Sequence, residues 1–355
     1  MGHGLEVEGE RPRRSAGRVL QIVLLAVVGL ALAAVFAARW ALEVPDLTPW
    51  LDRYEIRGQH CSRGADAAPC VEVAWLGVAT LLFDDGDTRL LVDGFFSRPG
   101  LMDLVAGRAV EPDREAISTG LARMGLNDAS VVMTVHSHYD HAMDSPEVAR
   151  RLGAVLLGSR STAMVGRGSG LAEERIVEVE VGRPYAYGEF RVTYHASRHV
   201  PLPGGQGSIG SELDAPLAPP AAITDYVEGG SYTIEIAHPA GVALVQGSAG
   251  FIEGGLEGVR ADVVLLGIGG LARQSPEYRD AYYFELLDRV GARRVIPIHW
   301  DDFTKPPGVV EPFPVGFGNV EDTLAELEAR ARGTGRLELQ LLPPWQRTRL
   351  LGGAP

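Results

Sequence analysis

The fold that we predict follows from residues 131–141, which read Val-Val-Met-Thr-Val-His-Ser-His-Tyr-Asp-His. The first five are largely apolar and β-branched, which is typical of a buried strand. His136 and His138 alternate, so in extended backbone their side chains face the same way. Asp140 and His141 follow one turn later and can face a second point. Neutral imidazole and carboxylate are ligands for Zn²⁺, Fe or Mn²⁺. The alternative is a polar loop with incidental histidines, which explains such a density of ligands poorly.

The six residues 136–141 match the His-x-His-x-Asp-His signature of the metallo-β-lactamase superfamily. Residues 71–97 resemble the opening hairpin of that family, where a Trp-Leu-Gly-x-Ala-Thr run leads to a strand that ends in Asp93. Residues 192–199 and 295–300 resemble the segments that carry the two remaining ligands, here His199 and His299. The resemblance covers roughly residues 70–345. It is nearest to the branch that contains N-acyl-phosphatidylethanolamine phospholipase D and the ascorbate-lactonase-like proteins.

This resemblance implies an α+β fold, a four-layer αββα sandwich, whereas the residue pattern alone indicates only mixed α and β structure. It implies one metal ion on His136, His138 and His199, and a second on Asp140, His141 and His299. Bound metal would lower the pKa of a water molecule so that hydroxide forms at neutral pH. Zinc is the expected metal, as one or two ions, with manganese and iron left open.

Two carboxylates have further expected roles. With a single ion, Asp140 would act in catalysis by orienting the hydroxide or carrying its proton. Asp93 would accept a hydrogen bond from the ring N–H of a ligand histidine. The alternative for Asp93 is a turn former at the end of a strand.

Ser248 is the one departure from the family pattern. The family has a Gly-Asp-Thr/Ser-Gly turn whose Asp bridges two metals, and the matching residues 247–250 read Gly-Ser-Ala-Gly. A neutral hydroxyl replaces a bridging carboxylate poorly. The centre is therefore mononuclear, binds its second ion weakly, or recruits another carboxylate, for which Asp301 and Asp302 are the nearest in sequence.

Other residues near the predicted ligands have competing interpretations. His195 fits a strand histidine with a satisfied ring, and His238 fits an exposed turn. Trp300 and Phe303 either line the pocket or pack in the core. The long loops at residues 201–222 and 304–318 follow ligands directly and are expected to shape the pocket.

The N-terminal region predicts membrane attachment. Arg18 and Arg39 enclose twenty uncharged residues, enough to span a bilayer. Arginines before this run place the N-terminus in the cytoplasm and the remainder of the chain outside it. A cleaved signal peptide is the alternative. Outside the cytoplasm, Cys61 and Cys70 are expected to form a disulfide. The predicted regions are a cytoplasmic tail at 1–17, an anchor at 18–39, a linker at 40–68, a hydrolase domain at 69–345 and a tail at 346–355.

Composition limits the partners. The net charge of −13 argues against nucleic acid, and a small-molecule or lipid-derived substrate is expected, with no indication of oligomeric state. The first functional hypothesis is a membrane-anchored hydrolase of an ester-like bond, either a phosphodiester or a lactone. The alternatives are a non-catalytic or weakly active homologue that binds a ligand through a degraded metal site, favoured by Ser248, and a β-lactamase.

Overall fold

The structure is a computed structural model that describes residues 14–62, 64, 67–202 and 209–352. It divides into two compact units, Met1–Glu43 and Val44–Pro355. In the first unit the described residues form one helix, α1, Arg14–Ala41. Its segment Leu20–Ala41 is long and apolar enough to cross a membrane, with a mean hydropathy of 2.7, although a signal sequence would meet the same criteria. The helix begins four residues before the predicted anchor, and residues 1–13 of the predicted tail lie outside the described residues.

The second unit contains the strands of the fold. Within its described residues the strands are, in chain order, β1 Cys70–Trp75, β2 Leu81–Asp84, β3 Arg89–Val92, β4 Ala109–Val110, β5 Val131–Met133, β6 Val155–Gly158, β7 Ile176–Glu178, β8 Pro184–Tyr187, β9 Phe190–Ser197, β10 Ala221–Ala222, β11 Ser231–His238, β12 Gly241–Gln246, β13 Val263–Gly267, β14 Arg294–Ile298, β15 Glu338–Leu339 and β16 Thr348–Gly352.

Helices connect these strands. They are α2 Thr48–Tyr54, α3 Leu101–Val105, α4 Arg114–Arg123, α5 Tyr139–Ala142, α6 Ser145–Leu152, α7 Arg160–Gly168, α8 Pro276–Tyr283 and α9 Val320–Thr334. A π-helical segment, Phe284–Asp288, continues α8. Short 3₁₀ turns lie at Glu173–Arg175, Ile223–Asp225, Leu271–Arg273 and Val315–Phe317.

The strands form two seven-stranded sheets, in the order β16-β1-β2-β3-β5-β6-β7 and β15-β14-β13-β12-β11-β9-β8, and β4 pairs separately with β10. Alternation along β5 shows how the layers pack. Val131 and Met133 lie in a core shared with residues of the second sheet, whereas Val132 lies in a cluster with Leu121 of α4 and Leu152 of α6. The first sheet is thus covered by the second sheet on one face and by helices on the other.

The second sheet has the same arrangement. Leu286, which follows α8, and Leu327 of α9 are buried in the cluster that contains its strands. The α+β fold is therefore as expected, with helices outside two facing sheets.

The domain is larger than the predicted range 69–345. The predicted C-terminal tail contains β16, which pairs with β1 and completes the first sheet, so the domain extends to Gly352. The predicted linker contains α2, and its Leu47 and Ile56 are buried in the main core. Ser145 is the first residue of α6, and its Oγ donates to the carbonyl oxygens of Asp93 and His141.

Candidate metal centre

The predicted ligands meet because the strands that precede them end at one edge. β3 and β5 run parallel and side by side, so Asp93 lies beside the segment that starts at Thr134. In the second sheet, β12 and β14 run parallel to β13, and β9 runs in the same direction because β11 is antiparallel to both β9 and β12. The segments after β9, β12 and β14 therefore emerge together, and they carry His199, Ser248 and His299.

The first cluster joins His136, His138 and His199, whose ligand atoms lie within 4.8 Å of one another. The ring centroids are 4.8 Å apart for His136 and His138 and 5.0 Å apart for His136 and His199. Burial lowers the pKa of His138 to about 3, and the neighbouring histidines contribute to this shift. Burial also holds the pKa of His136 well below its usual value. These imidazoles are neutral at pH 7, which is the form that binds a metal.

The second cluster joins Asp140, His141 and His299, again within 4.8 Å. Asp140 and His141 lie in the single turn α5, which follows His138 directly. The Oδ2 of Asp140 lies 3.4 Å from Nε2 of His141 and 3.5 Å from Nε2 of His299. Burial alone would raise the pKa of Asp140, but His141 and His299 outweigh it and lower this pKa below the usual range.

Asp93 lies where the resemblance places it. Its Oδ2 is 2.7 Å from Nδ1 of His141, and its Oδ1 accepts a hydrogen bond from the backbone N–H of Val135 at 3.0 Å. The carboxylate is fully buried and its residue has a φ of 58°, a strained conformation outside glycine. Asp93 thus fixes the His141 ring so that Nε2 faces Asp140.

Several ring nitrogens of the two clusters are buried and have no hydrogen-bond partner among the described residues. These are both nitrogens of His136, Nε2 of His138 and Nδ1 of His299. Leaving a buried polar nitrogen unpaired costs about 1–3 kcal/mol. A metal ion satisfies such nitrogens, so this donor set of histidines and one carboxylate fits a metal of the zinc, manganese or iron type.

The Trp-Leu-Gly-x-Ala-Thr run supports the last ligand. The carbonyl oxygen of Val78 accepts hydrogen bonds from the backbone N–H of His299 and from Nε1 of Trp75, each at 2.9 Å. The backbone N–H of Val78 donates to Oδ1 of Asp301 at 2.7 Å. The first hairpin therefore fixes the backbone at His299, whose φ is 55°.

Neither Asp301 nor Asp302 replaces the missing bridging carboxylate. The Oδ2 of Asp301 forms a buried ion pair with Arg98 at 3.0 Å. Asp302 accepts hydrogen bonds from the backbone and the hydroxyl of Thr304. Neither belongs to a ligand cluster among the described residues.

Ser248 has a different role from the family's Asp. Its hydroxyl accepts a hydrogen bond from the backbone N–H of Val200 at 3.0 Å, directly after His199. Its own carbonyl oxygen accepts from Nε2 of Gln246 at 2.7 Å. The Nδ1 of His199 pairs with the carbonyl of Val200 at 2.8 Å, which leaves Nε2 for a metal. Ser248 thus positions the His199 segment.

A cavity of about 430 Å³ opens onto the centre, lined by His138, Asp140, His199, Ser248 and His299 among others. Phe303 lines it, whereas Trp300 packs on Trp75 with ring centroids 4.8 Å apart and is only 6% exposed. Phe303 therefore lines the pocket, and Trp300 packs in the core. Both long loops contribute to the wall, as expected, although residues 203–208 lie outside the described residues.

His195 and His238 lie outside the two clusters and have different surroundings. His195 pairs with Glu235 at 2.7 Å, as expected for a satisfied strand histidine. The expectation that His238 is exposed was wrong. Its side chain is 4% exposed, because it ends β11, packs on Phe190 and lies 3.5 Å from Asp85.

Ser137 is a supporting residue that sequence reasoning missed. It lies between the first two ligands, and its N–H and hydroxyl both bond the carbonyl of Glu228 at 2.8–2.9 Å. An added Cβ at Gly229 would lie 2.4 Å from its Oγ, so the segment packs without space for a side chain. The position of Ser137 inside the motif is the only signal for this role.

Comparison with known proteins finds relatives that are named metal-dependent hydrolases. No protein-family model matches the chain. A UPF0173 metal-dependent hydrolase of Heliobacterium modesticaldum is 25% identical over 75% of this chain and 95% of its own length. Another, from Rubrobacter xylanophilus, is 27% identical over 68% of this chain and 86% of its own. Among solved structures, Igni18, a metallo hydrolase from Ignicoccus hospitalis, gives a TM-score of 0.49 at 14% identity and covers 80% of this chain and 99% of its own. The ligand motif and these relatives together support a metal-dependent hydrolase of the metallo-β-lactamase superfamily.

Proposed function

We propose that the protein is a membrane-anchored hydrolase that cleaves an ester-like bond, either a phosphodiester or a lactone. The observation that supports hydrolysis best is the pair of ligand clusters, with buried ring nitrogens that no described residue satisfies, at the base of a cavity. The preference for these bonds comes from the resemblance of residues 71–97 to the phospholipase and lactonase branch.

The chain's own residues divide the work. A metal held by the two clusters would supply Lewis acidity and lower the pKa of a bound water. Asp140 is ionised at neutral pH because His141 and His299 lower its pKa, so its carboxylate can orient the attacking water or accept its proton. Asp93 keeps the ring of His141 in one orientation.

Metal content and hydrolysis, measured together on the full-length protein in a non-ionic detergent, test this proposal. We expect one or two ions per chain by elemental mass spectrometry, and release of nitrophenol from bis(p-nitrophenyl) phosphate or opening of a γ-lactone. His138→Ala should lose metal from the first cluster. Asp140→Asn should reduce kcat by about 100-fold or more.

His60→Ala is the matched control, because the His60 side chain is 66% exposed and belongs to neither cluster. It should keep both metal and activity. A protein that binds no zinc, manganese or iron when these are supplied would contradict hydrolysis and favour the ligand-binding alternative. Hydrolysis of a chromogenic β-lactam alone would favour the β-lactamase.

The membrane anchor is the second part of the proposal. Its support is the apolar helix Leu20–Ala41 and the arginines before it, which favour a cytoplasmic N-terminus. The disulfide between Cys61 and Cys70 agrees with an oxidising compartment for the domain.

Cell fractionation and thiol labelling test the anchor. The protein should remain in the membrane pellet after an alkaline carbonate wash, whereas a Leu24→Arg, Val28→Arg double variant should be released. The chain has only two cysteines, so a maleimide reagent applied to unreduced cells should label neither. Two labelled cysteines would place the domain in the cytoplasm, and a mature protein that begins after the apolar run would identify a signal peptide.

A further inference from the structure

The cavity has an aromatic wall that leads from the metal centre to the surface. Phe303 lies against His299, with ring centroids 5.7 Å apart. Phe313 follows at 5.0 Å from Phe303, and Phe317 at 5.6 Å from Phe313. Phe317 is 48% exposed at the outer end. An apolar group larger than the reacting atoms can therefore lie along this wall.

Arg273 stands beside the outer end of the same wall. It ends the turn Leu271–Arg273, which follows Gly269 and Gly270. A Cβ added at Gly269 would lie 3.1 Å from Nδ1 of His299, so this turn starts directly on the last ligand. A Cβ added at Gly318, next to Phe317, would lie 3.5 Å from Cγ of Arg273. The arginine stem therefore packs next to the aromatic wall.

Among the residues that the structure describes, no carboxylate pairs with the charge of Arg273. The residue is exposed and lines the cavity. Apart from residues of the metal clusters, it is the only charged residue among the described residues of the cavity lining. An unpaired guanidinium at a cavity mouth is suited to bind a carboxylate or phosphate.

We propose that Arg273 recognises an anionic group of the substrate that is separate from the bond cleaved, while Phe303, Phe313 and Phe317 bind its apolar part. The substrates are then anionic amphiphiles that carry a carboxylate or a phosphate. This inference rests on the proposed hydrolase function of the same cavity, and it identifies Arg273 as a residue that determines specificity.

A binding experiment tests it independently of turnover. The probes are hexanoate, hexyl phosphate and the neutral hexanol. Calorimetry is carried out on the chelated full-length protein in non-ionic detergent, against a detergent blank, so that metal cannot bind the anions. Arg273→Gln should weaken binding of both anions about tenfold and leave hexanol unchanged. Phe317→Ala should weaken all three.

Arg198→Gln is the matched control, because Arg198 is exposed and adjacent to the ligand His199 but does not line the cavity. Arg198→Gln should leave the binding of both anions unchanged. Arg273→Lys keeps a positive charge, so it should retain part of the anion affinity that Arg273→Gln loses. Stronger binding of hexyl phosphate would identify phosphate-bearing substrates, and stronger binding of hexanoate would identify carboxylates. Equal anion binding by wild type and Arg273→Gln would overturn the inference even if the protein proves to be an active hydrolase.

An activity readout separates the two proposals further. In an active protein, Arg273→Gln should raise KM for the mono-p-nitrophenyl ester of glutarate and not for p-nitrophenyl butyrate, with kcat unchanged for both. Turnover of both esters without this difference would support hydrolysis and overturn the role of Arg273. Arginine-dependent anion binding without turnover would do the reverse.

Discussion

Ser248 has a structural role at a position where the family has a metal-bridging residue. The family places a metal-bridging carboxylate there, whereas here the hydroxyl accepts the N–H of Val200 and steadies the segment that carries His199. Ser248 is 6% exposed and lines the cavity, so its replacement affects both the backbone and the centre.

Ser248→Ala and Ser248→Asp should have opposite effects on metal binding. Alanine leaves the N–H of Val200 without an acceptor, so we expect a loss of about 1–3 kcal/mol in the free energy of unfolding and metal affinity lower by about tenfold. Aspartate keeps an acceptor and adds a negative charge to the cavity wall, so it should raise the affinity for a second ion.

Titration of the chelated protein with zinc measures the zinc affinity and stoichiometry of the alanine and aspartate variants. Ser248→Thr is the control that keeps the hydroxyl, and it should behave like wild type. Unchanged zinc stoichiometry and affinity in all three variants would contradict a role for this position in the centre.

Among the structural elements, the first hairpin has the most influence on the site although it contributes no ligand. Its turn between β1 and β2 bonds the backbone of His299 through Val78. The same turn is held by Asp301, whose second carboxylate oxygen pairs with Arg98. The Arg98 and Asp301 side chains are 5% and 0% exposed. Asp301 bonds the turn at Val78 and Arg98 donates to the carbonyl oxygen of Leu76 at 3.2 Å, so this buried ion pair links the hairpin to the loop after β14 from two sides.

Arg98→Met should therefore destabilise the domain. It leaves the buried Asp301 carboxylate without a counter-charge, which we expect to cost about 3–5 kcal/mol in the free energy of unfolding. Because Asp301 holds Val78, occupancy of the second cluster should also fall. Urea denaturation and metal analysis measure the two effects.

Arg108→Met is the comparison variant, since the Arg108–Asp103 ion pair is solvent-exposed at 69% and 42%. It should unfold like wild type. Equal stability of the two variants would show that the buried pair does not hold the hairpin.

For the whole molecule, the closing strand matters most. β16 pairs with β1 across the domain, and its Leu350 and Leu351 are only 1% and 2% exposed. Without it, β1 would present an unpaired edge next to an open part of the core.

A chain that ends at residue 345 should consequently aggregate or unfold at a lower temperature than one that ends at residue 352. Loss of the two buried leucines alone should cost about 3–6 kcal/mol at 1.5–3 kcal/mol for each side chain. Thermal unfolding and sedimentation of the two chains provide the comparison, and identical melting temperatures would support an independent C-terminal tail.

Local patterns predicted which side chains meet at the candidate centre, because each group of them follows an apolar strand. His136, His199 and His299 follow the last residues of β5, β9 and β14 within three positions, and parallel neighbours bring such strand ends together.

Long-range contacts were beyond the reach of local patterns. The Arg98–Asp301 pair joins residues 203 positions apart, and neither residue carries a local signal. The sequence of β16, Thr-Arg-Leu-Leu-Gly, alternates poorly and does not predict a strand on its own. It forms a strand because it pairs with β1. Phe313 and Phe317 lie in a loop without periodicity, so the aromatic wall appears only once the fold is known.

Each ligand cluster draws two residues from the first sheet and one from the second. An ion bound in either cluster would therefore link the two sheets of the sandwich to each other. Metal binds the folded chain in preference to the unfolded one, so free ion at a hundred times its dissociation constant adds about 2.7 kcal/mol to stability. The lifetime of this protein therefore depends on the metal supply of its surroundings, because removal of the ion lowers the temperature at which the folded domain unfolds.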